Sequence, residues 1–496
     1  MAGSGSDIPP VPTRPEQAPA PRIGVDEWVA THEARRDLGR GLVGVVRREL
    51  ERVPRPGFYL AFAVAAALLP VVTSNGYVIR VGFDTLLYML LALGLNIVVG
   101  YAGLLDLGYV AFYGFGAYGY AMLASPKFGL HWSTLAVVPV VVVATAILGF
   151  LVALPSRRLL GDYLAIVTLF FGQLFVTVVQ NGQAMSFLGF TRPYDVTGGP
   201  NGIPDIDPFN AFGGRISSLD GYYYAALAIF LAALAAVYLV DQSRTGRAWK
   251  SLREDALAAE LMGMPVNRLK LVAFAFGAAI AGLTGTLFAA LNTAVFAADF
   301  DVPTLIIVYA MLILGGAGSL GGVILGALIV NVSLEVLRTP GHATWVFYGL
   351  LAATLVVKVR PWRWLAAVVV GTAGLGFAAH AVAAAAWPRG VHGEPAVGGV
   401  LGSGLRHWVL LPTDPRTIGN VAFVCLVLAV LWVTTLRGWA QKLALVPTLY
   451  LAAFVWENRL IDEPSVTRLI LVGVILIVLM NARPQGLVGS ARVEIV

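Results

Sequence analysis

Apolar residues occupy long blocks along this chain, separated by short polar joints. The blocks fall at about 57–73, 81–100, 104–124, 132–154, 163–181, 221–240, 271–290, 302–316, 322–336 and 345–358, then at about 362–387, 417–436, 442–456 and 466–481. A hydrocarbon core about 30 Å thick is crossed by roughly 20 helical residues, and most blocks approach that length. Lipid offers no water to an exposed backbone, so each block is read as a helix. The pattern predicts an all-α polytopic integral membrane protein with about 14 transmembrane helices.

Glycine interrupts two blocks. The first, "LNIVVGYAGLLDLGYVAFYGFGAYGY", carries Gly100, Gly103, Gly108, Gly114 and Gly116, with Asn96 and Asp106 inside or beside the apolar run. Broken helices at membrane depth persist where they line a cavity or are buried in protein, and their freed N–H groups favour an anion such as a carboxylate. An acidic residue at such a break is costly without a function or a partner. Asn96, Gly100, Tyr101, Gly103, Asp106 and Gly108 are therefore the candidate substrate pathway. The second interruption, "LILGGAGSLGGVILGAL", spaces Gly318, Gly322 and Gly326 as G-x-x-x-G, which also suits close helix packing. Thr168, Gln173 and Asn331 suit hydrogen bonds between helices, and Glu335 has Arg338 three residues on as a partner.

The longest polar stretch between blocks is "SRTGRAWKSLREDALAAELMGMPVNRLK", residues 243–270. Arg253 to Met262 predicts one short helix, closed by Gly263 and Pro265 and surrounded by basic residues. Such a helix fits a groove on a cytoplasmic partner, and it equally fits an ordinary basic loop. Placing the basic N-terminal segment (Arg35, Arg36, Arg47, Arg48, Arg52, Arg55) in the cytoplasm puts Arg157, Arg158, this stretch, Arg360, Arg363, Arg437, Lys442 and Arg483 on the same side. Both termini are then cytoplasmic, and the loop after Asn181 and the acidic "ENRLIDEPS" face outward.

Residues 1–27, rich in Pro and Ala, predict a disordered tail. Residues 28–55 predict a basic amphipathic cytoplasmic helix with a stripe of Leu38, Leu42, Val45, Val46, Leu50 and Val53, lying on the membrane or packing on the chain's own loops.

Composition sharpens the exclusions. Hydrophobic residues make up 58% of the chain and charged ones only 12%, too few to cover a water-facing surface. The net charge of +6 belongs to loops and tails, so no nucleic acid is expected as a partner. There is no G-x-x-x-x-G-K-[ST] phosphate loop and no set of Cys, His and carboxylates at metal spacing, so no cofactor, no metal and no catalytic residue is expected. Any ATP-driven motor must be another subunit. The lone Cys425 is a small packing residue.

"LNIVVGYAGLLDLGYVAFYGFGAY", "GDYLAIVTLFFGQLFVTVVQN", "TGGPNGIPDI", "SLREDALAAELMGMPVNRLKLVAFAFGAAIAGLTGTLFA", "ILGGAGSLGGVILGA", "LEVLR" and "RPQGLVG" follow one another here. In that order they resemble LivM-type permeases of branched-chain amino acid ABC transporters. The resemblance implies a bacterial inner-membrane importer subunit without enzymatic activity of its own. Its implied partners are a homologous second permease, two cytoplasmic ABC ATPase subunits, an extracytoplasmic substrate-binding protein and the lipid bilayer. It assigns Arg253, Glu254, Ala258, Ala259, Gly263 and Lys270 to a segment coupled to the ATPase. Thr197, Gly198, Gly199 and Gly202 fall on the loop facing the binding protein. The permease core spans 56–340, further spans occupy 341–465, and a terminal helix and cytoplasmic tail occupy 466–496.

Two features depart from the family. Members carry Gln, Ser and His where this chain has Leu104, Asp106 and Tyr109, and a carboxylate there repels an amino-acid carboxylate or attracts an amine. "YGLLAATLVVKVRPW" also resembles the terminal "LILVGVILIVLMNARPQG", which suggests an insertion of about four spans near 362–456. A stand-alone proton- or ion-coupled carrier is the competing function, with Asp84, Asp106 and Asp162 as its coupling groups.

Overall fold

The computed structural model describes residues 55–155, 161–184, 195–211, 214–359, 362–386, 390–391, 393–395, 397–412, 415–436, 438–482 and 486–488. The expected tail (1–27), nearly all of the amphipathic helix (28–55), and Arg157, Arg158, Arg360, Arg437 and Arg483 lie outside the described residues. Two compact units divide after Ala66, and the described part of the first is the start of helix α1 (Arg55–Val72).

Most of the described residues of the second unit are helical. They are α2 (Gly76–Leu95), continued by a π-helical turn (Asn96–Tyr101), α3 (Tyr109–Leu123), α4 (Thr134–Ala153), α5 (Gly161–Gln180) and α6 (Leu219–Gln242). Two short helices follow, α7 (Arg244–Glu254) and α8 (Ala256–Leu261), then α9 (Val266–Asn292), α10 (Val302–Gly315), α11 (Leu320–Val336) and α12 (Pro340–Lys358). The remainder are α13 (Trp362–Ala386), α14 (Gly399–Trp408), α15 (Pro415–Thr435), α16 (Trp439–Asp462) and α17 (Pro464–Ala482). Strands β1 (Asn210–Ala211) and β2 (Gly214–Arg215) pair antiparallel in the joint between α5 and α6.

Every apolar block read from the sequence falls on one of these helices. Among the described residues eight are long and apolar enough to cross a bilayer by themselves, or nine if α11 and α12, bent by 117° at their junction, count as one span. The block expected to begin at Leu104 is shorter than predicted, because residues 102–108 are not helical and α3 has only 15 residues. At 1.5 Å per residue that is about 22 Å, less than the hydrocarbon thickness.

Small residues on α9 form the centre of the core. Gly116 of α3 lies against Gly282, Gly285 against Tyr113 and Gly116, Gly149 of α4 against Phe274 and Ala278, and Gly277 against Gly94 and Val98. Lipid gives helices no hydrophobic reason to associate, so backbone contact through residues without side chains is what holds them. Gly322 and Gly326 of α11 pack the same way on Gly315 and Met311 of α10, as the G-x-x-x-G spacing predicts.

Candidate functional site at the two helix breaks

Both glycine-rich interruptions are real breaks, and they meet. After α2 the chain widens into the π turn, where Ala102 N–H donates to Ile97 O (3.1 Å) and Leu104 N–H to Val98 O (3.0 Å). The second break lies between α10 and α11. Its Gly318, at φ +89°, occupies the left-handed region that side-chain-bearing residues avoid. Gly318 N–H donates to Asn96 Oδ1 at 2.7 Å, a bond between residues 222 apart in the chain.

Arg253 ties these breaks to the polar segment. Its Nη1 donates to the carbonyl of Gly100 in the first break and to that of Ala317 in the second (3.3 Å). Helix breaks leave carbonyls without intrahelical donors, and a guanidinium supplies several donors in a fixed fork. The side chain also fills the space beside Gly103 (φ +70°) and Gly318, where a Cβ on either glycine would collide with it. Nearby, Lys250 pairs with Asp241 at 2.6 Å and lies 5.4 Å from the Tyr101 ring centre. Buried Trp249 donates from Nε1 to Leu269 O (2.9 Å), anchoring α7 on the start of α9.

The polar segment is not the single helix expected over Arg253–Met262. It divides at Asp255, which is extended (φ −154°) and whose carboxylate caps Leu257 N–H (2.8 Å) and Ala258 N–H (2.9 Å). An aspartate there ends one helix and starts the next. Glu254, Ala258 and Gly263 are exposed, Lys270 is half-buried, and Ala259 is buried beneath α8. Leu257, Leu261 and Met262 stand out from α8, with Met262 82% exposed. Periodicity gave no sign of this apolar knob, because a helix of six residues is too short to show a face.

A third chain segment completes the site. Leu487 N–H donates to Leu314 O (2.9 Å) and Val488 N–H to Gly315 O (3.2 Å), so the "RPQGLVG" motif covers carbonyls at the end of α10. Gly486 fits against Gly316.

Asp106 is wholly buried. Its Oδ1 accepts from Gly108 N–H (3.0 Å) and its carbonyl from Tyr309 Oη (2.6 Å). Thr168 Oγ1 accepts from Leu107 N–H at 2.9 Å. Asn96 Nδ2 and Asp106 Oδ2 are buried without a partner among the described residues. Asp84, by contrast, pairs with Arg80 at 3.2 Å, and Arg80 in turn donates to Asn292 (2.6 Å). Glu335 pairs with Arg338 at 3.1 Å, and Asn331 donates to Thr85 Oγ1 at 2.8 Å.

On the loop between α5 and α6, Thr197, Gly198, Gly199 and Gly202 are all buried. Thr197 Oγ1 donates to Val179 O (2.6 Å), Gly198 N–H to Asp195 Oδ1 (2.7 Å), and Ile203 bridges Val295 in antiparallel fashion. These residues build the loop, while Pro200, Asn201, Pro204 and Asp205 form its exposed surface.

Residues 77–359 match the family described as "Branched-chain amino acid transport system / permease component". The chain is 36% identical over 330 residues to the high-affinity branched-chain amino acid transport system permease protein LivM of Salmonella typhimurium, covering 62% of this chain and 73% of that protein. LivM of Escherichia coli gives the same figures. The permease protein LivH of Salmonella typhimurium is 25% identical over 263 residues, covering 50% of this chain and 80% of that one. No solved structure matches.

Proposed function

The chain belongs to the family of permease components of branched-chain amino acid transport systems, and from that premise we propose that it moves branched-chain or other small amino acids inward as one half of an ABC importer. It is a multi-pass helical membrane protein, with the shorter and bent helices bringing the spans to about fourteen. Both termini and the segment 243–270 face the cytoplasm, where two ATPase subunits dock. The second permease, similar to LivH, packs alongside, and a binding protein delivers substrate to the external loop.

The observation that carries this proposal is Arg253, which reaches from the segment bearing the exposed Leu257, Leu261 and Met262 to the carbonyls of both breaks. Force applied to α8 by a docked ATPase reaches Gly100 and Ala317 through one side chain. Transport then requires only that outward- and inward-open states differ in affinity for the substrate. An amino-acid zwitterion offers an acceptor and a donor, which complement the unpartnered Asn96 Nδ2 and Asp106 Oδ2.

The test is uptake of labelled leucine and a panel of amino acids into vesicles holding this chain, its partner permease, the ATPases and the binding protein. Glu254→Lys and Gly263→Pro should abolish ATP-dependent uptake while leaving insertion intact. Both residues are exposed, and the φ of +81° at Gly263 is one that proline does not reach. Asp106→Asn keeps an oxygen for Gly108 N–H but replaces the free acceptor by a donor, and should weaken ATP-dependent uptake without coupling it to a proton gradient. Uptake driven by a proton gradient by the chain alone, and lost in Asp106→Asn, would establish the carrier instead.

A further inference from the structure

Helix α2 packs on α6, α9 and α11 of its own chain and is the most enclosed of the eight candidate spans. Past its first turn, the positions of α2 that stay half-exposed are Arg80, Val81, Gly82, Asp84 and Tyr88, and every residue from Met89 to Val98 is buried. Arg80, Asp84 and Tyr88 recur every four residues, so these polar side chains form one stripe. The Arg80 and Asp84 side chains are 38% and 36% exposed. With its π turn α2 has 26 residues, about 39 Å of helix around a hydrocarbon core of about 30 Å. Asp84 and Tyr88 lie about 12 and 18 Å from the start of α2, so the stripe opens at membrane depth.

Ionisable side chains at that depth face a cavity or another protein segment, because lipid leaves their charge unsolvated. An arginine near a helix end reaches the headgroups by turning its long side chain outward. Arg80 instead donates from Nε to Asp84 Oδ2, one turn further in (3.2 Å), and from Nη2 to Asn292 Oδ1 on α9 (2.6 Å). These bonds leave Arg80 Nη1 and Asp84 Oδ1 without a hydrogen-bond partner among the described residues, on half-exposed side chains. A charged donor and a charged acceptor one turn apart match a ligand that carries both opposite charges on one carbon atom. A lone cation or a lone anion answers only one of them.

We propose that Arg80 and Asp84 hold the substrate in the passage between this chain and the second permease, Arg80 donating to the carboxylate of the amino acid and Asp84 accepting from its ammonium. The assignment rests on the importer function proposed above, and it adds a substrate contact outside the helix breaks. Gly100, which Arg253 holds, lies about 24 Å further along the same helix. Substrate at the pair and force on α8 therefore act near opposite ends of one continuous element.

The test uses the importer assembled in vesicles, with Cys425→Ser removing the lone thiol of the chain and Tyr88→Cys supplying one beside the pair. A membrane-impermeant methanethiosulfonate reagent, added from the side of the binding protein, should modify this thiol. Val81→Cys, half-exposed on the same helix, repeats the reading. A thiol left unmodified in both variants would mean a face sealed by lipid or by the second permease, and would overturn the passage. Leucine should slow the modification about tenfold, whereas isocaproic acid and isoamylamine, each lacking one of its two charges, should leave it unchanged. Equal protection by either analogue would overturn the zwitterion contact. Asp84→Asn should lower ATP-dependent uptake about tenfold. Arg80→Asp combined with Asp84→Arg keeps an ion pair but reverses its polarity, so uptake should stay low. Full recovery in that double variant would reduce the pair to a structural role and overturn the proposal. Absence of ATP-dependent uptake by the unaltered importer would count against the importer function, whereas the protection pattern is read without ATP and judges the pair alone.

Discussion

The permease core and the added helices are built from similar residues yet packed by different rules. Of the most apolar 18-residue stretch of α2 with its π turn, 78% is buried within the chain, and of α9, 67%; the core's outer helices α4, α5 and α6 have shares of 22%, 28% and 33%, and for α13 and α15 they are 17% and 11%. In the core, glycines bring backbones into contact and polar side chains cross between helices. In the added part, Val421, Val424, Leu428, Leu431 and Trp432 of α15 face outward. Hydropathy alone scores α15 as a better membrane span than α2 or α9, although those two are far more enclosed by the chain. What separates a moving part from a lipid-facing one is how closely backbones approach, and apolarity does not measure that.

The largest effect that can break this contrast is expected at Arg253. Arg253→Ala leaves the Gly100 and Ala317 carbonyls without their donor, and hydrogen bonds to a charged group contribute about 1.5–3 kcal/mol each. Uptake in reconstituted vesicles should fall by tenfold or more, while Trp432→Ala on α15 should leave it within about twofold. Equal losses in both variants would mean that the added helices share in the transport cycle.

How much of this was legible in the sequence follows from the range over which each signal acts. The apolar helices and the two breaks are local, written in apolar runs and glycines, and most were found where expected, whereas the polar segment forms two helices in place of one. Arg253 and Gly100 lie 153 residues apart. No period or spacing records such a contact, so the family resemblance, which implies a coupling role for Arg253, does not say what it touches. One local inference also missed. Asp255 falls inside the single helix expected over Arg253–Met262, and only its extended backbone identifies it as a cap. On the loop between α5 and α6, Thr197 and the three glycines are buried, which the local sequence does not show.

A smaller effect sharpens the same comparison through stability. Gly116→Val forces a branched side chain against Gly282 and should cost about 1–3 kcal/mol, read as a lower midpoint of thermal unfolding in detergent. Gly374→Val on α13 has open space and should change stability by less than about 0.5 kcal/mol. If both midpoints fall alike, the added helices are packed against something as closely as the core is.

The smallest effect lies outside the membrane-spanning helices, in the loop between α5 and α6, which is held by a charge. Partial desolvation pushes the Asp195 carboxyl upward, but the Lys127 side chain (3.0 Å), Gly198 N–H (2.7 Å) and the Lys127 charge together outweigh it, leaving its pKa below the usual carboxylate value. A carboxyl depressed in the folded state stabilises the loop above its unfolded pKa of about 3.9 and loses that contribution as pH falls through the lower folded value. The amides of residues 197–203, corrected for intrinsic exchange rates, should therefore keep their protection from hydrogen exchange at pH 6 and lose part of it below about pH 4. With the Asp195 side chain 51% exposed, the change should be slight. Asp195→Asn should flatten it, and a step that persists in this variant would assign the pH response to another group on the external face.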